Sequence, residues 1–448
     1  MADSADGSPP TSGPPSDANF IVHQVECSGL FPAHSRHPES AIFLDHPRMF
    51  QGDTRADALR GRHAVESMPH YLEQNPGAGF VVYRTYSCTA YHEELSLALH
   101  ATPGPDDQSD LFVLDQDAPP ACSEREHMAI VADDFYSAIG VVCATRKTNG
   151  PWQDHEMFAH RHSDWDSEHN MLAPYLYFYH SRELLRNAQP DNPHYKTRID
   201  LLLGYIDNNF GHEYSEAEEL FNKGYVTRKH IHKLFGPNQI LVTRQGDHIA
   251  TVMTKTCPLP HSFPIRIDCE RWSFDGRFAR SSERIVVHWP SGQRQKAYIT
   301  SYIDGGKLAI SALTAYPLKW ASSEIQDLIS MRGEIFWQCQ HERFISYEAN
   351  PKTDLAQVNG RYMIDMRTYQ ELHGKNNTAA NERDSTREYM EPGILRSIYG
   401  SHQDFLLLLP PTIVGFSFDD KRWSMFIPTI LICLYPGFLT TVAADLFL

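Results

Sequence analysis

Between residues 237 and 372 apolar and polar positions alternate with a period close to two, the repeat of a half-buried strand. "QILVTR" and "HIATVMTK" flank Gln245-Gly246-Asp247 and predict a hairpin. "PIRIDCERWSF" and "RFARSSERIVVHW" flank Asp275-Gly276 and predict a second, with Gly276 suited to the positive φ of a tight turn. "AYITSYID" with Gly305-Gly306-Lys307 adds a strand and a turn, and "RFISYEA" and "GRYMIDM" add two returning strands. Within this region "SSEIQDLISMRGEIFWQC" has the spacing of an amphipathic helix, capped by Ser322 or Ser323.

Upstream the period lengthens towards that of helices. "MLAPYLYFYHSRELLRNA" sets Leu172, Leu176, Tyr179 and Leu184 near helical spacing, and "RIDLLLGYIDNNFG" stops on Gly211 as a C′ residue. Ser215 and Glu218 form an S-x-x-E capping box for a new helix that Gly224 closes, and Thr227 caps "RKHIHKLF". Earlier still, "FVVYRTYSC" (80–88) reads as a strand, and "HMAIVADDFYSAIGVVCA" (127–144) as a strand followed by an Asp-capped helix.

These elements predict an α+β chain. A mixed α/β unit over 41–150 is followed by a block of short helices (151–236). Then comes a strand-rich domain (237–372), a small open barrel or sheet with one or two helices. Residues 373–393 read as a linker loop, 394–424 as a junction and 425–448 as an apolar tail. The first forty residues, rich in Pro, Gly, Ser and Asp, predict a disordered acidic tail.

The formal net charge of −16 makes the average surface repel nucleic-acid phosphates and anionic lipid, so no nucleic-acid partner is expected. Eight scattered cysteines with no C-x-x-C pair fit reduced thiols. The start has neither a basic n-region nor an apolar h-region, and an intracellular chain, cytoplasmic or nuclear, is expected.

No nucleophile elbow, G-x-G-x-x-G after a strand or Cys–His signature is present. A P-loop needs Gly-rich backbone, a Lys and a following hydroxyl. In "DGGKLA" Leu308 replaces the hydroxyl residue and Ser301 stands where the leading glycine belongs, and "LHGKNN" (372–377) fails for the same reasons. His155, His160, His162 and His169, with nearby carboxylates, are the candidate metal ligands. The five-residue step from His155 to His160 leaves a helix face, which favours a polar linker. No catalytic residue and no cofactor is expected in this chain. Trp272 and Trp320 are the candidate anchors for a protein partner, with burial in the core as the alternative for each.

The order of several segments resembles the region of unknown function that precedes the ATPase module in filamentous-fungal AAA+ ATPase-like proteins. The segments are "PRMFQGDTRADALRG", "FVVYRTYSC", "LAPYLYFYHSRELL", "EYSEAEELFNKGYVTRKHIHKLFGPNQ", "CERWSFDGRFAR", "LTAYPLKW", "ISMRGEIFW", "VNGRYMIDMRTY" and "LLLLPPTIVGFSFDDKRW". They run from about Pro47 to Trp423. The resemblance implies a non-catalytic recognition or regulatory region that binds a protein client. ATP and magnesium are used in the relatives by a module with no counterpart in these residues. Two alternatives are an ATPase whose catalytic part lies outside this sequence and a membrane-anchored protein. Met425 to Ala444 has no charged residue, is long enough to span a bilayer as a helix, and is flanked by Lys421 and Arg422. Pro428, Pro436 and Gly437 interrupt it, and the resemblance fades after Trp423, which favours a truncated reading frame over an anchor.

Overall fold

Strand β1 (Phe20–Glu26) runs through the middle of the first sheet, although the composition of the first forty residues predicts a tail. The structure, a computed structural model, describes residues 20–27, 38–54, 56–98, 113–132, 135, 139, 170–188, 193–246, 248–289, 303–304, 306–339, 342–347, 360–373, 388–390, 403–426, 431–435 and 438–441. On one side of β1 lies β2 (Ser40–Phe43), antiparallel, with β3 (Ala64–Val65) outside it. Helix α1 (Met68–Gln74) leads to β4 (Phe80–Ser87), which runs parallel to β1 on its other side. Helix α2 (Cys88–Ala98) follows β4 directly, and β5 (Arg125–Ile130) and β6 (Asn170–Leu172) complete the order β3-β2-β1-β4-β5-β6. The β-branched pair Ile21-Val22 and Val25 explain the placement of β1. A central strand is covered on both faces, and Val22 and Val25, on opposite faces, are both buried.

Helix α3 (Leu176–Asn187) starts later than Leu172, because residues 170–172 pair with β5 and Pro174 has no N–H to give a helix. Helix α4 (Pro193–Asn222) is continuous where the sequence predicts two helices: it passes through Gly211 and Ser215 without a break. Its buried stripe explains why. Ile199, Leu202, Leu203, Ile206, Tyr214, Ala217 and Phe221 keep helical spacing on both sides of Gly211, which outweighs the roughly 1 kcal/mol cost of a mid-helix glycine. The described residues form two compact units, one ending at His212 and the other starting at Glu213, so the division falls inside α4.

In the second unit β7 (Tyr225–Thr227) is followed by a single 3-10 turn at Ile231–Leu234 in place of the expected helix. The hairpins β8 (Ile240–Gln245)–β9 (His248–Thr254) and β10 (Ile265–Phe274)–β11 (Phe278–Val287) form as expected, with Gly276 at φ +100° in the second turn. Strands β12 (Ile303–Asp304) and β13 (Lys307–Ala309) make a small sheet with β7, so Lys307 and Leu308 of "DGGKLA" are strand residues. After β14 (Tyr316–Pro317) comes helix α5 (Ser323–Gln338), with the Ser322 hydroxyl accepting from the Ile325 N–H. Then follow β15 (Arg343–Tyr347), β16 (Gly360–Ile364), helix α6 (Met366–His373), β17 (Glu388–Tyr389), β18 (Ile413–Ser417) and β19 (Arg422–Phe426). The second sheet is open, in the order β14-β8-β9-β10-β11-β17. Helix α5 buries Ile335, Phe336 and Trp337 against Trp272, Phe278 and Phe405. Gly333 is required there, because a Cβ would overlap the carbonyl oxygen of Leu406.

The apolar tail contributes strands. β20 (Leu431–Tyr435) pairs antiparallel with β15, and β21 (Phe438–Thr441) pairs with β20, giving a third sheet in the order β19-β18-β16-β15-β20-β21. A bilayer-spanning helix, the alternative reading of Met425 to Ala444, is not seen in the described residues of that stretch, which are strands. Pro436 and Gly437, which oppose a helix, lie between the two strands. Among the described residues no helix is long and apolar enough to cross a membrane. The fold is α+β, and the strand pairs described in its second unit are all antiparallel.

Candidate interaction face

Four strands of the third sheet place one row of side chains directly opposite one another. Phe344 on β15 faces Met363 on β16, Met363 faces Phe416 on β18, and Phe416 faces Trp423 on β19. The neighbouring residues Ile345, Tyr362, Ile364 and Ile413 point the other way and belong to the buried core. A strand shows alternate residues to opposite faces, so the Phe344–Trp423 row lies on the outer face of the sheet. Phe344 is 57% exposed and Met425, next along β19 on this face, 67%.

Ring contacts run continuously across this face. Starting from α6, His373 stacks on Tyr369 with centroids 4.6 Å apart, and Tyr369 meets Trp423 at 5.1 Å. Trp423 meets Phe416 at 5.6 Å, Phe416 meets Phe418 at 5.9 Å, and Phe418 stacks on Phe344 at 5.8 Å. Asp365 begins α6 by accepting from the Thr368 N–H (2.9 Å) and hydroxyl (2.6 Å), which positions Tyr369 over Trp423. The tight turn after β18 is held by the Ser417 hydroxyl, which accepts from the Asp420 N–H at 3.1 Å. Exposed Arg361 and Lys421 flank the rings. An outer sheet face is ordinarily polar, and a contiguous apolar one marks a contact surface.

The two tryptophans expected to anchor a partner are placed differently. Trp272 is 3% exposed and packs edge-on to Phe405 at 4.9 Å, so it is core. Trp320 is half-buried: its indole N–H donates to the Phe221 carbonyl at 3.1 Å, and the Lys319 ammonium sits 3.8 Å from its ring centroid. Both placements follow from partners far away in the chain. The outer row had a signal that period-two reading allows. In "IVGFSF" Val414, Phe416 and Phe418 stand on one face while Ile413 occupies the other, so both faces carry apolar residues.

Titratable groups gather in two further places. In the second unit Lys233, 2% exposed, donates to Glu213, and burial pulls its ammonium down despite that pairing. His230 is fully buried beside it, with Nε2 3.2 Å from Glu216 Oε2 but without the angle of a hydrogen bond. Glu216 also accepts from Lys229 at 2.8 Å, and this bond, followed by the close approach of the His230 imidazole, holds its carboxyl below the usual range. The cluster fastens the Ile231–Leu234 turn to the end of α4.

In the first unit Glu126 on β5 accepts from Arg84 Nε (2.9 Å), Tyr175 (2.9 Å) and Tyr205 (2.7 Å). Burial, then the bond to Glu126, raises the Tyr205 hydroxyl well above its ordinary value. His23 on β1 bonds through Nδ1 to the Tyr86 hydroxyl at 2.7 Å, and burial first, then His46 and Arg84, pull its imidazole down to about 4. His155, His160, His162 and His169 lie outside the described residues. Among the described residues no group of three or more His, Cys, Asp and Glu could hold a metal ion. No family model matches the chain, and neither a curated protein nor a solved structure resembles it significantly.

Proposed function

We propose that this chain is a non-catalytic recognition region that binds another protein through the outer face of the third sheet. The observation that carries the reading is the run of rings from His373 to Phe344, fixed on sheet and helix with Phe418 and Phe344 exposed at one end. Preordered aromatic side chains lose little entropy on contact and dominate protein interfaces. The net charge of −16 disfavours nucleic acid and anionic membrane as alternatives. The resemblance to the region preceding an ATPase module supports the same role, since in such machines that region selects the client. Nucleotide hydrolysis is not part of the proposal, because Lys307 begins a strand paired with Asp304 and is followed by Leu308.

The test is photo-crosslinking from position 344 in the full chain, compared with a Phe344→Ser/Phe418→Ser variant. A protein partner crosslinked by the wild type, bound again when purified, and bound at least tenfold more weakly by the variant is the expected result. A partner retained equally by the variant would overturn the assignment of this face.

A further inference from the structure

The first sheet carries a surplus of hydrogen-bond donors at one point. His23, Arg84 and Glu126 stand directly opposite one another across β1, β4 and β5. The two carboxylates nearby are already engaged: Glu126 by its three donors, and Asp45 by the backbone N–H groups of Arg62 and His63, both at 2.8 Å. On the donor side, Arg84 gives its Nε to Glu126 and bonds Tyr205, and a guanidinium has five N–H groups. His23 uses Nδ1 on Tyr86, whose buried hydroxyl is pushed up to about 12 and so keeps its proton. His46, exposed, holds its ring 4.4 Å from that of His23 and is bonded to no acceptor among the described residues. His23 is 5% exposed and Arg84 half-buried, so these groups sit at the solvent margin of a covered sheet face. They are not surface side chains free to turn away.

We propose that His23, His46 and Arg84 form a binding site for a phosphoryl group, independent of the protein-binding face. A phosphate dianion offers oxygens to the N–H groups of Arg84 that Glu126 and Tyr205 do not use and to the imidazoles, and it compensates an imidazolium. Binding is therefore coupled to proton uptake by an imidazole. The groups that act on His23 are His46 and Arg84, which disfavour its protonation, and Asp45, which favours it; Arg48 further disfavours protonation of His46. A bound dianion reverses that balance.

Isothermal titration of the full chain with inorganic phosphate, in two buffers of different ionisation enthalpy, reads both affinity and protons. The expected result is saturable binding with net proton uptake, weakened about tenfold or more in His46→Ala, whose exposed side chain can be removed without unfolding. Phosphoserine and acetate provide the other arms. Phosphoserine binding as well as phosphate places the site on an esterified group, phosphate alone places it on the free ion, and acetate binding equally well overturns phosphoryl selectivity. His23→Gln, checked by circular dichroism, should lose the proton uptake while it stays folded. No heat from phosphate with wild type up to roughly 10 mM, where a site of useful affinity would saturate, or unchanged binding in His46→Ala, overturns the proposal.

Discussion

The first and third sheets depart from the ordinary inside–outside pattern in opposite directions. The first holds polar groups on a covered face: His23 and the Arg84–Glu126 pair lie among Val25, Phe43 and Tyr86. The third holds apolar groups on its open face, from Phe344 to Trp423, while its covered face is conventionally apolar. Buried polar groups persist because each finds a partner, and removing one leaves the others desolvated and unpaired. Exposed rings carry no such penalty and stabilise little. The same chain thus has one region where substitution strikes folding and another where it strikes association.

The largest effect should come from Glu126→Ala. It removes the acceptor shared by Arg84, Tyr175 and Tyr205 and breaks a part-buried ion pair, and urea unfolding should show a loss of about 3–5 kcal/mol. A loss near zero would mean that the first sheet does not depend on its polar row. Trp272→Ala should be comparable, about 3–5 kcal/mol, because it empties part of the core between α5 and the second sheet.

A smaller effect follows from pH. His23 has a folded pKa near 4 against about 6.5 unfolded, so the unfolded chain binds more protons between these values. Its contribution is present above pH 6.5 and is lost as pH falls towards 4, by roughly 2–3 kcal/mol. Thermal unfolding of wild type against His23→Gln over pH 4–8 should show a flatter profile in the variant, and identical slopes would exclude His23 as the cause. The smallest change is expected at the third sheet. Phe344→Ser should alter stability by no more than about 0.5 kcal/mol while reducing binding of a hydrophobic dye. A loss of several kcal/mol there would make the face part of the core after all.

Much of the second unit is legible in the chain itself. The β8–β9 and β10–β11 hairpins, the Ser322 cap and the α5 helix follow from local alternation, turn chemistry and capping. Other expectations fail where a distant partner overrules a local signal. Gly211 and the Ser215 box read as a stop and a start, yet the buried stripe of α4 carries the helix through both. Composition marks residues up to 40 as tail, but β1 is recruited by β2 and β4. The run of uncharged residues after Arg422 matches a spanning helix in length, and pairing with β15 makes strands of its middle.

The candidate surface divides in the same way. That "IVGFSF" is apolar on both faces is written in the chain; which face is covered depends on where α5 and Phe405 pack. Trp272 and Trp320 each read in the sequence as either anchor or core, and they differ in burial because their partners come from residues 133 positions away in one case and 99 in the other.

By itself the sequence determined the α+β class, the β8–β9 and β10–β11 hairpins, strands β15 and β16, helix α5 and the lack of a P-loop motif, since periodicity, caps and motifs act over a few residues. Only the tertiary structure decided that Phe344, Phe416, Phe418 and Trp423 share one outward face, and that His23 meets Arg84. Register and burial are properties of chain segments brought together from far apart, and no local pattern encodes which face of a strand finds a cover.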